Sequence, residues 1–454
     1  MKFIQLTGIT LFCLALWGCA TQPANLDAIA QDSVADRAQW GSEQTAQSSL
    51  ADSLLALFND DALNQLVIKS QQHNLSLLQQ KARTDAVLFT LTQAQAENLP
   101  EVSANVSSQR QKTANSGPTN SHSLALDVSW EWDIWGGLHA ESKQALADLQ
   151  ASQLSYQALQ DSIAAQTMQA YINAISQTQL AGLSEKNYLS LEKTLMVVSR
   201  QYLDGSVDLS DLTQARQNLA NADASRISSQ LAQRNAIRTL QLLIGDYPDG
   251  EALATYHLPK LLAAPKAGVP ADVLARRPDV QAAWHEVESV GWGVAVARAD
   301  RFPKITLTGQ VGQSASALKD LLNGDLIWSL ASSVGYNLFD GGSLKAKEEQ
   351  SLSLAEAQYY SYLDTVMTAL NEVETALDSE HSQYQQEQAQ HQAVAQARLL
   401  LANAEQDYRA GLLDITDWLS FQRSLFTAQS ALIETRNQRL QNRISLGLAL
   451  GLGV

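Results

Sequence analysis

Two short acidic turns carry the clearest chemical signal in this sequence. They read Tyr202-Leu-Asp-Gly-Ser-Val-Asp-Leu-Ser-Asp211 and Tyr408-Arg-Ala-Gly-Leu-Leu-Asp-Ile-Thr-Asp417. The glycine of each turn is expected to take a positive φ, which other residues rarely adopt. The two aspartates that follow it can cap the next helix, or they can gather negative charge that favours cations over anions. The residues concerned are Gly205, Asp208 and Asp211 in the first turn and Gly411, Asp414 and Asp417 in the second.

No set of residues has the spacing of a catalytic, metal or nucleotide site. The seven histidines are scattered without metal-ligand spacing, and neither standard phosphate-binding glycine loop occurs. Acidic residues outnumber basic ones by 47 to 31, which gives a formal net charge of −16. Because there is also no basic run, a nucleic-acid partner is disfavoured. We therefore expect no enzyme, no cofactor and no metal centre.

Residues 1–18 have the pattern of a secretory signal peptide. Lys2 gives a one-charge start, and an apolar stretch too short for a membrane span leads to Gly18-Cys19. A cysteine directly after a small residue resembles a bacterial lipobox, so we expect acylation of Cys19 and a lipid-anchored N-terminal segment over 19–59. A plain signal peptide with a chance cysteine is the alternative. No later stretch has the roughly 18 apolar residues of a membrane helix, so any membrane crossing must use strands.

The chain carries an internal duplication with a spacing of about 205 residues. Four landmarks recur in the same order at nearly one spacing, and the acidic turn is the first of them. The others are Gly136-Gly137 with Gly341-Gly342, Leu99-Pro100 with Phe302-Pro303, and Gly245 with Gly451. The sequence therefore predicts two copies of one unit, over 60–250 and 278–454, joined by a connector over 251–277.

Each copy is expected to contain the same elements in the same order. A first helix ends at a proline, and two strands, a very long helix, a glycine turn and a returning helix follow. The expected spans of the first copy are a helix over 60–98, strands within 101–133, and helices over 138–203 and 209–244. Those of the second copy are a helix over 278–301, strands within 304–338, and helices over 343–409 and 415–450. Helices this long need coiled-coil-like partners along their length.

The strands alternate in the way that membrane strands do. From Ser123 to Asp133, apolar side chains at even positions alternate with polar ones at odd positions, close to the length of a tilted transmembrane strand. The second copy alternates more weakly. Tryptophans expected at the membrane interface are Trp130, Trp132 and Trp135 at the helical end of their strand, and Trp328 in the second copy. An amphipathic hairpin that covers a soluble core is the alternative.

Four strands per chain cannot close a barrel, because the smallest known membrane barrels have about eight. Open strand edges in lipid would leave unpaired backbone amides at a cost of several kcal/mol each. Closure therefore requires several chains, and three chains would supply twelve strands.

An ordered set of motifs resembles the TolC-like outer-membrane efflux proteins, of the lipoprotein branch that serves resistance–nodulation–division (RND) pumps. The motifs are Trp130-Glu-Trp-Asp-Ile-Trp-Gly136, Leu274-Ala-Arg-Arg-Pro-Asp279, Val294-Ala-Val-Ala-Arg-Ala-Asp-Arg-Phe-Pro303, Leu338-Phe-Asp-Gly-Gly342 and Asn371-Glu-Val-Glu-Thr-Ala-Leu377. The resemblance implies a mainly α fold with a membrane β-barrel portion. It implies a homotrimer whose twelve-stranded barrel crosses the outer membrane of a Gram-negative bacterium and whose long α-helical barrel lies in the periplasm. It also implies a periplasmic adaptor and an inner-membrane RND-type pump as partners.

By the same resemblance, the two glycine turns form the closed periplasmic tip of the duct. Asp211 and Asp417 then match the gate acid most closely, with Asp208 and Asp414 beside them. Tyr202 and Tyr408 match a tyrosine that hydrogen-bonds across neighbouring coils. Helix capping remains an equal alternative for each aspartate.

The function that the resemblance implies is passive conduction of drugs or other small toxic compounds out of the cell. Two alternatives stay open. One is the outer-membrane channel of a type I protein secretion system, and the other is a lipid-anchored periplasmic coiled-coil scaffold without a pore.

Overall fold

The structure is a computed structural model that describes residues 40–41, 53–58, 60–114, 117–251, 257–261, 268–323 and 325–454. The predicted signal peptide and the predicted acylation site Cys19 lie outside these residues, as does most of 19–59. The chain divides into two compact units, and each is built from both copies of the repeat. One includes Ala82–Ser155 and Gln281–Thr365, and the other includes Asp36–Lys81, Tyr156–Val280 and Val366–Val454.

The first copy contains helices, a strand pair and two further helices in the predicted order. They are α1 (Asp61–His73), α2 (Leu75–Ala96), β1 (Glu101–Gln111), β2 (Thr119–Glu131), α3 (Gly137–Leu203) and α4 (Leu209–Leu243). A short 3-10 segment, Leu55–Leu57, precedes them.

The second copy repeats this order after a short helix, α5 (Pro270–Arg276). Its elements are α6 (Pro278–Ala299), β3 (Lys304–Ala315), a 3-10 segment (Leu318–Asn323), β4 (Ile327–Gly335), α7 (Ser343–Arg409) and α8 (Ile415–Ala449). Helices α3 and α7 have 67 residues each, and α4 and α8 have 35 each. The predicted duplication therefore extends to the lengths of the elements. Despite those lengths, no helix in the described part of the chain is apolar enough to cross a bilayer.

The sequence predicts one helix over 60–98, and the structure instead has two that separate at Asn74. Asn74 has extended backbone angles of φ −66° and ψ 124°. Its Oδ1 accepts the backbone N–H groups of Ser76 at 3.0 Å and Leu77 at 3.3 Å, and its Nδ2 donates to the Leu243 carbonyl at 3.0 Å. Asparagine side chains compete with helical backbone bonds in this way, so Asn74 ends α1 and caps α2.

The four strands form one antiparallel sheet in the order β1-β2-β3-β4. The central pair, β2 with β3, joins the two copies through pairs such as Asp127 opposite Gln310 and Trp130 opposite Leu307. Each hairpin pairs its own strands, β1 with β2 and β3 with β4. Strands β1 and β4 therefore lie at the two edges of the sheet, and each has one side without a strand partner among the described residues.

The largest apolar core lies in the second unit, where segments of both copies meet. Its buried residues include Leu54, Phe58, Leu63, Val67, Met168, Tyr171, Ile172, Ile175, Leu240, Val273, Leu440, Ile444 and Leu446. Burial of each such large side chain contributes roughly 1.5–3 kcal/mol. This core fixes the ends of α4 and α8 that lie away from the acidic turns.

Candidate functional site

The two acidic turns have one backbone geometry. Gly205 and Gly411 both take φ of 71°. The N–H of Ser206 donates to the Gln201 carbonyl at 2.8 Å, and the N–H of Leu412 donates to the Asp407 carbonyl at 2.9 Å. These bonds, each between residues five apart in the sequence, are those of a Schellman cap, which ends a helix with a left-handed glycine. Both glycines are therefore turn residues, and a residue with a Cβ would be strained at either position.

The four aspartates of the turns have different roles in the two copies. In the first copy Asp208 is the N-cap residue of α4, and its backbone N–H donates to the Asp211 carboxylate at 3.3 Å. In the second copy Asp414 begins α8 without a side-chain capping bond. The Asp417 carboxylate is exposed, and no donor in the described part of the chain reaches it. Capping therefore engages the acids of the first turn, while those of the second remain accessible.

The two turn tyrosines also differ. Tyr408 is buried, its hydroxyl donates to Gln201 Oε1 at 2.5 Å, and its ring stacks on Trp418 with centroids 4.7 Å apart. Burial, together with the negative charge of nearby Asp211, raises the pKa of Tyr408 against the opposing effect of the Gln201 hydrogen bond. Tyr202 is 38% exposed. Among the described residues, the Tyr408 hydroxyl makes a hydrogen bond to the other copy, and no such bond is found for the Tyr202 hydroxyl.

Sequence reasoning missed Gln201 and Trp418, which hold Tyr408 in place. Trp418 belongs to a compact apolar cluster formed by the ends of all four long helices near the turns, and Gln201 contacts a member of that cluster, Tyr408. The cluster comprises Leu191, Val198, Leu212, Ala215, Ala222, Ala404, Tyr408, Ile415, Trp418 and Leu419. In the repeat, Trp418 occupies the position of Leu212. That exchange of a leucine for a tryptophan is the signal that a comparison of the copies could have used.

The sheet has one apolar and one polar face. Rows across the strands place Val102, Val128, Gly309 and Leu330 together, and Ala104, Leu126, Val311 and Trp328 together. The apolar side chains of these rows are largely exposed, including Val102 at 65% and Leu330 at 78%. A continuous exposed apolar surface across four strands is the pattern of a lipid-facing sheet.

The opposite face carries a ladder of polar contacts. Ser103, Asp127, Gln310 and Ser329 form one row. The Asp127 carboxylate accepts from Asn105 Nδ2 at 2.6 Å and from Gln310 Nε2 at 2.8 Å, so three strands are joined through one acid. This face can border water, because its polar groups are either paired or exposed.

Three of the predicted interface tryptophans lie at the helical end of the strands, and the fourth lies at the loop end. Trp130 donates to the Asn98 carbonyl at 3.0 Å, and Trp135 donates to the Pro303 carbonyl at 2.7 Å while stacking on Phe302. Trp132 is 52% exposed, next to the helical end of β2. Trp328 is 74% exposed and is the second residue of β4, at the loop end of that strand.

The Leu274–Asp279 motif contains a buried arginine that fixes the start of α6. The Arg277 guanidinium donates to Asp279 at 2.7 and 3.0 Å, contacts Glu372 at 2.7 Å, and donates to the Ala449 carbonyl at 3.3 Å. Burial alone would raise the pKa of Asp279, but the hydrogen bonds and charge of Arg277 outweigh it and hold the pKa below its ordinary value. Arg277 therefore links α6, α7 and the end of α8.

The chain is similar to known proteins over most of its length. The family model for the outer membrane efflux protein matches residues 66–246 and 269–452. TtgC of Pseudomonas putida, a probable efflux pump outer membrane protein, is 30% identical over 406 residues, covering 87% of this chain and 84% of the relative. OpmQ of Pseudomonas aeruginosa, a pyoverdine export outer membrane protein, is 27% identical over 458 residues, covering 97% and 95%.

Solved structures show the same fold. The outer-membrane channel OprN aligns with a TM-score of 0.83 at 23% identity, covering 92% of this chain and 97% of its own. The Campylobacter jejuni CmeC outer membrane channel aligns with a TM-score of 0.88 at 21% identity, covering 96% and 95%. The predicted fold class, long helices with four antiparallel strands in a duplicated chain, is confirmed.

Proposed function

Because this chain belongs to the outer membrane efflux protein family and is the outer-membrane exit duct of an efflux system, we propose that it passively conducts drugs or other small toxic compounds. A periplasmic adaptor and an inner-membrane RND-type pump deliver these compounds to it in this proposal. Relatives named for antibiotic, toluene and pyoverdine export support small organic molecules as the exported class. The observation that carries the proposal is a sheet with one continuous apolar face in a chain that matches the family in both copies.

The proposed assembly is a homotrimer. Strands β1 and β4 each have an edge that no other described segment pairs with, and unpaired edges are not stable in lipid. If β4 of one chain pairs with β1 of the next, three chains give twelve strands and leave no edge. The apolar face then meets outer-membrane lipid, and the face with Asp127 lines the pore.

Two membrane attachments follow from the same proposal. The exposed Trp132 and Trp328 anchor the strands at the interfaces, where amphipathic indole rings are favoured. Acylation of Cys19 adds a lipid anchor. Replacement of Cys19 by Ala should leave the barrel in the outer membrane while it removes incorporation of labelled palmitate.

The gate of the duct lies at the acidic turns in this proposal. The hydrogen bond from Tyr408 to Gln201 holds the second turn against the first in the closed state, and the stacking on Trp418 fixes the Tyr408 ring within the second turn. The acids of both turns come together around one constriction in a trimer, where they favour cations over anions. The Asp211→Asn, Asp417→Asn double variant should lower the cation-over-anion permeability ratio in planar bilayers. An unchanged ratio would exclude these residues as the filter.

The test of the exit-duct function is deletion of the gene followed by a panel of toxic compounds. We expect increased susceptibility to several small organic compounds, restored by the wild-type chain from a plasmid. A matched pair of variants, Tyr408→Phe and Tyr202→Phe, then tests the gate. Tyr408→Phe removes the hydrogen bond to Gln201 and should raise the open probability, whereas Tyr202→Phe removes no hydrogen bond found among the described residues. Unchanged susceptibility together with lost secretion of a protein substrate would instead favour type I secretion. A monomer that salt releases from the membrane would favour the poreless scaffold.

A further inference from the structure

The lipid-facing surface of the first hairpin changes from apolar to cationic along its length. On this face, β1 carries Val102, Ala104 and Val106 and then Ser108 and Arg110, while β2 runs from Val128 through Leu124 to His122. Arg110 pairs with Asn120, and Ser108 pairs with His122. Arg110 and His122 are therefore diagonal neighbours, roughly 7–8 Å apart between their Cα atoms. Lys112 follows one residue after the end of β1.

The position of these basic residues matches the edge of the apolar band. Eight residues separate Val102 from Arg110 on β1, which is about 26 Å along the strand at ~3.3 Å per residue. With a tilt of about 40°, the distance along the membrane normal is about 20 Å, comparable to the apolar band of ~25 Å in such barrels. Arg110 and His122 thus lie at the level of the headgroups at the loop end of the strands.

The charge of this end is uncompensated. No Asp or Glu occurs between residues 102 and 126, although the chain as a whole has a formal charge of −16. Neither Arg110 nor Lys112 has an acidic partner within the described ranges, and His122 Nδ1 is buried there without a hydrogen-bond partner. At the helical end of the sheet, by contrast, Lys304 has two acids nearby, Glu131 at 3.8 Å and Asp300 at 3.7 Å.

We infer that Arg110, Lys112 and His122 bind a phosphate group of a lipid headgroup in the outer leaflet. The inference rests on the proposed function, which puts the loop end of the barrel on the outer side of the membrane. A guanidinium donates two parallel hydrogen bonds to a phosphate, while an ammonium and an imidazole add single donors from beside it. A trimer offers three such sites, one on each first hairpin. The second hairpin has no equivalent, since its loop carries Lys319 together with Asp320 and Asp325.

The test uses the full-length trimer in detergent and native mass spectrometry. Bisphosphorylated lipid A is the probe, and phosphatidylcholine and inorganic phosphate are the comparisons. We expect up to three lipid A molecules per trimer, and at least about a tenfold loss of affinity in the Arg110→Gln, Lys112→Gln double variant, since charge-assisted bonds are the strong ones. The control is Lys319→Gln, which removes one positive charge from the loop of the other hairpin and should change affinity less than about twofold.

Three outcomes would overturn the inference. They are equal affinity of the double variant and the wild type, an equal loss in Lys319→Gln, and displacement of lipid A by inorganic phosphate at the same concentration. The last outcome would identify a site for free phosphate. Bilayer conductance of the same preparations separates this inference from the proposed function. A conducting trimer without lipid A binding contradicts the inference alone, whereas a chain that forms no trimer and no channel contradicts the proposed function.

Discussion

The second helix pair, α7 with α8, is held by buried charges near the end of α8 that lies away from the turn, whereas the same place in the first pair, α3 with α4, is apolar. In the second copy, Arg443 contacts Glu380 at 2.6 Å, and Glu387 accepts from Arg439 at 2.7 Å and from Arg436 at 3.0 Å. The side chain of Arg443 is 2% exposed and that of Glu387 is 9% exposed. These five residues are referred to below as the charged cluster.

The equivalent positions of the first copy lie 206 residues earlier in the sequence. Glu380 corresponds to Ala174 and Arg443 to Ile237, and both of these form a small buried cluster with Ala236. Arg439 corresponds to Gln233, which donates to Thr178 Oγ1 at 3.2 Å. The first copy therefore has apolar side chains and one neutral hydrogen bond at the positions where the second copy has ion pairs.

Buried ion pairs and apolar packing differ more in how they align two helices than in how much they stabilise them. Buried ion pairs gain little net free energy over apolar packing, because desolvation offsets the Coulomb attraction. They are nevertheless costly to break, since a shift of one helix against the other leaves a charge unpaired. Small apolar residues tolerate such shifts better. We therefore expect the charged cluster to set the register of α7 against α8, and the apolar cluster to leave that of α3 against α4 less constrained.

Removal of one acid from the charged cluster should have the largest effect. Glu380→Ala removes the carboxylate that the buried Arg443 contacts at 2.6 Å, and we expect a loss of about 3–5 kcal/mol in the free energy of unfolding. Denaturant unfolding in detergent, followed by loss of helical circular dichroism, measures it. The control is the double variant Glu380→Leu, Arg443→Leu, which should be close to the wild type. If Glu380→Ala and the double variant lose equally, the pair stabilises the fold in its own right and the contrast between the copies fails.

The corresponding change in the first copy should cost less. Ile237 is 1% exposed, and Ile237→Ala removes its packing against Ala174 and Ala236. Because small neighbours allow partial collapse of the cavity, we expect a loss of about 2 kcal/mol, at the low end for such changes. The same unfolding measurement tests it, with Ile237→Val as a milder step of about 1 kcal/mol. A larger loss than in Glu380→Ala would reverse the ranking of the two copies.

Acid should affect the second copy selectively. Burial alone would raise the pKa of Glu387, but hydrogen bonds from Arg439 and Arg436 outweigh it and lower the pKa below its ordinary value. A carboxylate with a lowered folded-state pKa contributes stability above its unfolded pKa of about 4.3, and that stability is lost as pH falls towards the folded pKa. The stability difference between the wild type and Glu387→Gln should therefore shrink below pH ~4. A difference that is constant from pH 7 to pH 3 would contradict this.

The smallest effect is expected at the exposed edge of the charged cluster. The Arg436 side chain is 51% exposed, so solvent screens its contact with Glu387. Arg436→Gln should cost less than about 1 kcal/mol, and the cost should vanish near ~1 M salt, where the Debye length is about 3 Å. Unfolding midpoints at low and high salt measure it. A loss as large as that of Glu380→Ala would show that the contribution of these contacts to the free energy of unfolding does not decrease with solvent exposure.

The sequence predicted the long elements well because they depend on local signals that occur twice. Helix α3 begins one residue before its expected start, and α7 begins and ends where the glycine landmarks place it. What it missed depends on partners from distant segments. Asn74 ends a helix because of a carbonyl at Leu243, and Tyr408 differs from Tyr202 because Trp418 is available to it. Neither contact produces a periodic pattern in the sequence.

The sequence predicted the part of the site that depends on local residue type, and it did not predict the part that depends on contacts with distant segments. The positive φ of Gly205 and Gly411 follows from residue type alone. Which aspartates cap a helix and which stay accessible depends on small differences between two turns of equal length. The charged cluster was also missed, because Glu and Arg along a helix read as a solvated face until the opposite helix is known.

The matched lengths of the helices constrain how this chain can evolve. Deletion of one turn from α3 would move the Gly205 turn by about 5.4 Å relative to the Gly411 turn. Tyr408 would then lose Gln201, and the compensating deletion would have to occur in α4, α7 and α8 as well. Insertions and deletions should therefore accumulate in the loops between strands, near 112–118 and 316–326, and rarely in the helices. The lengths of the four long helices are therefore expected to change together or not at all.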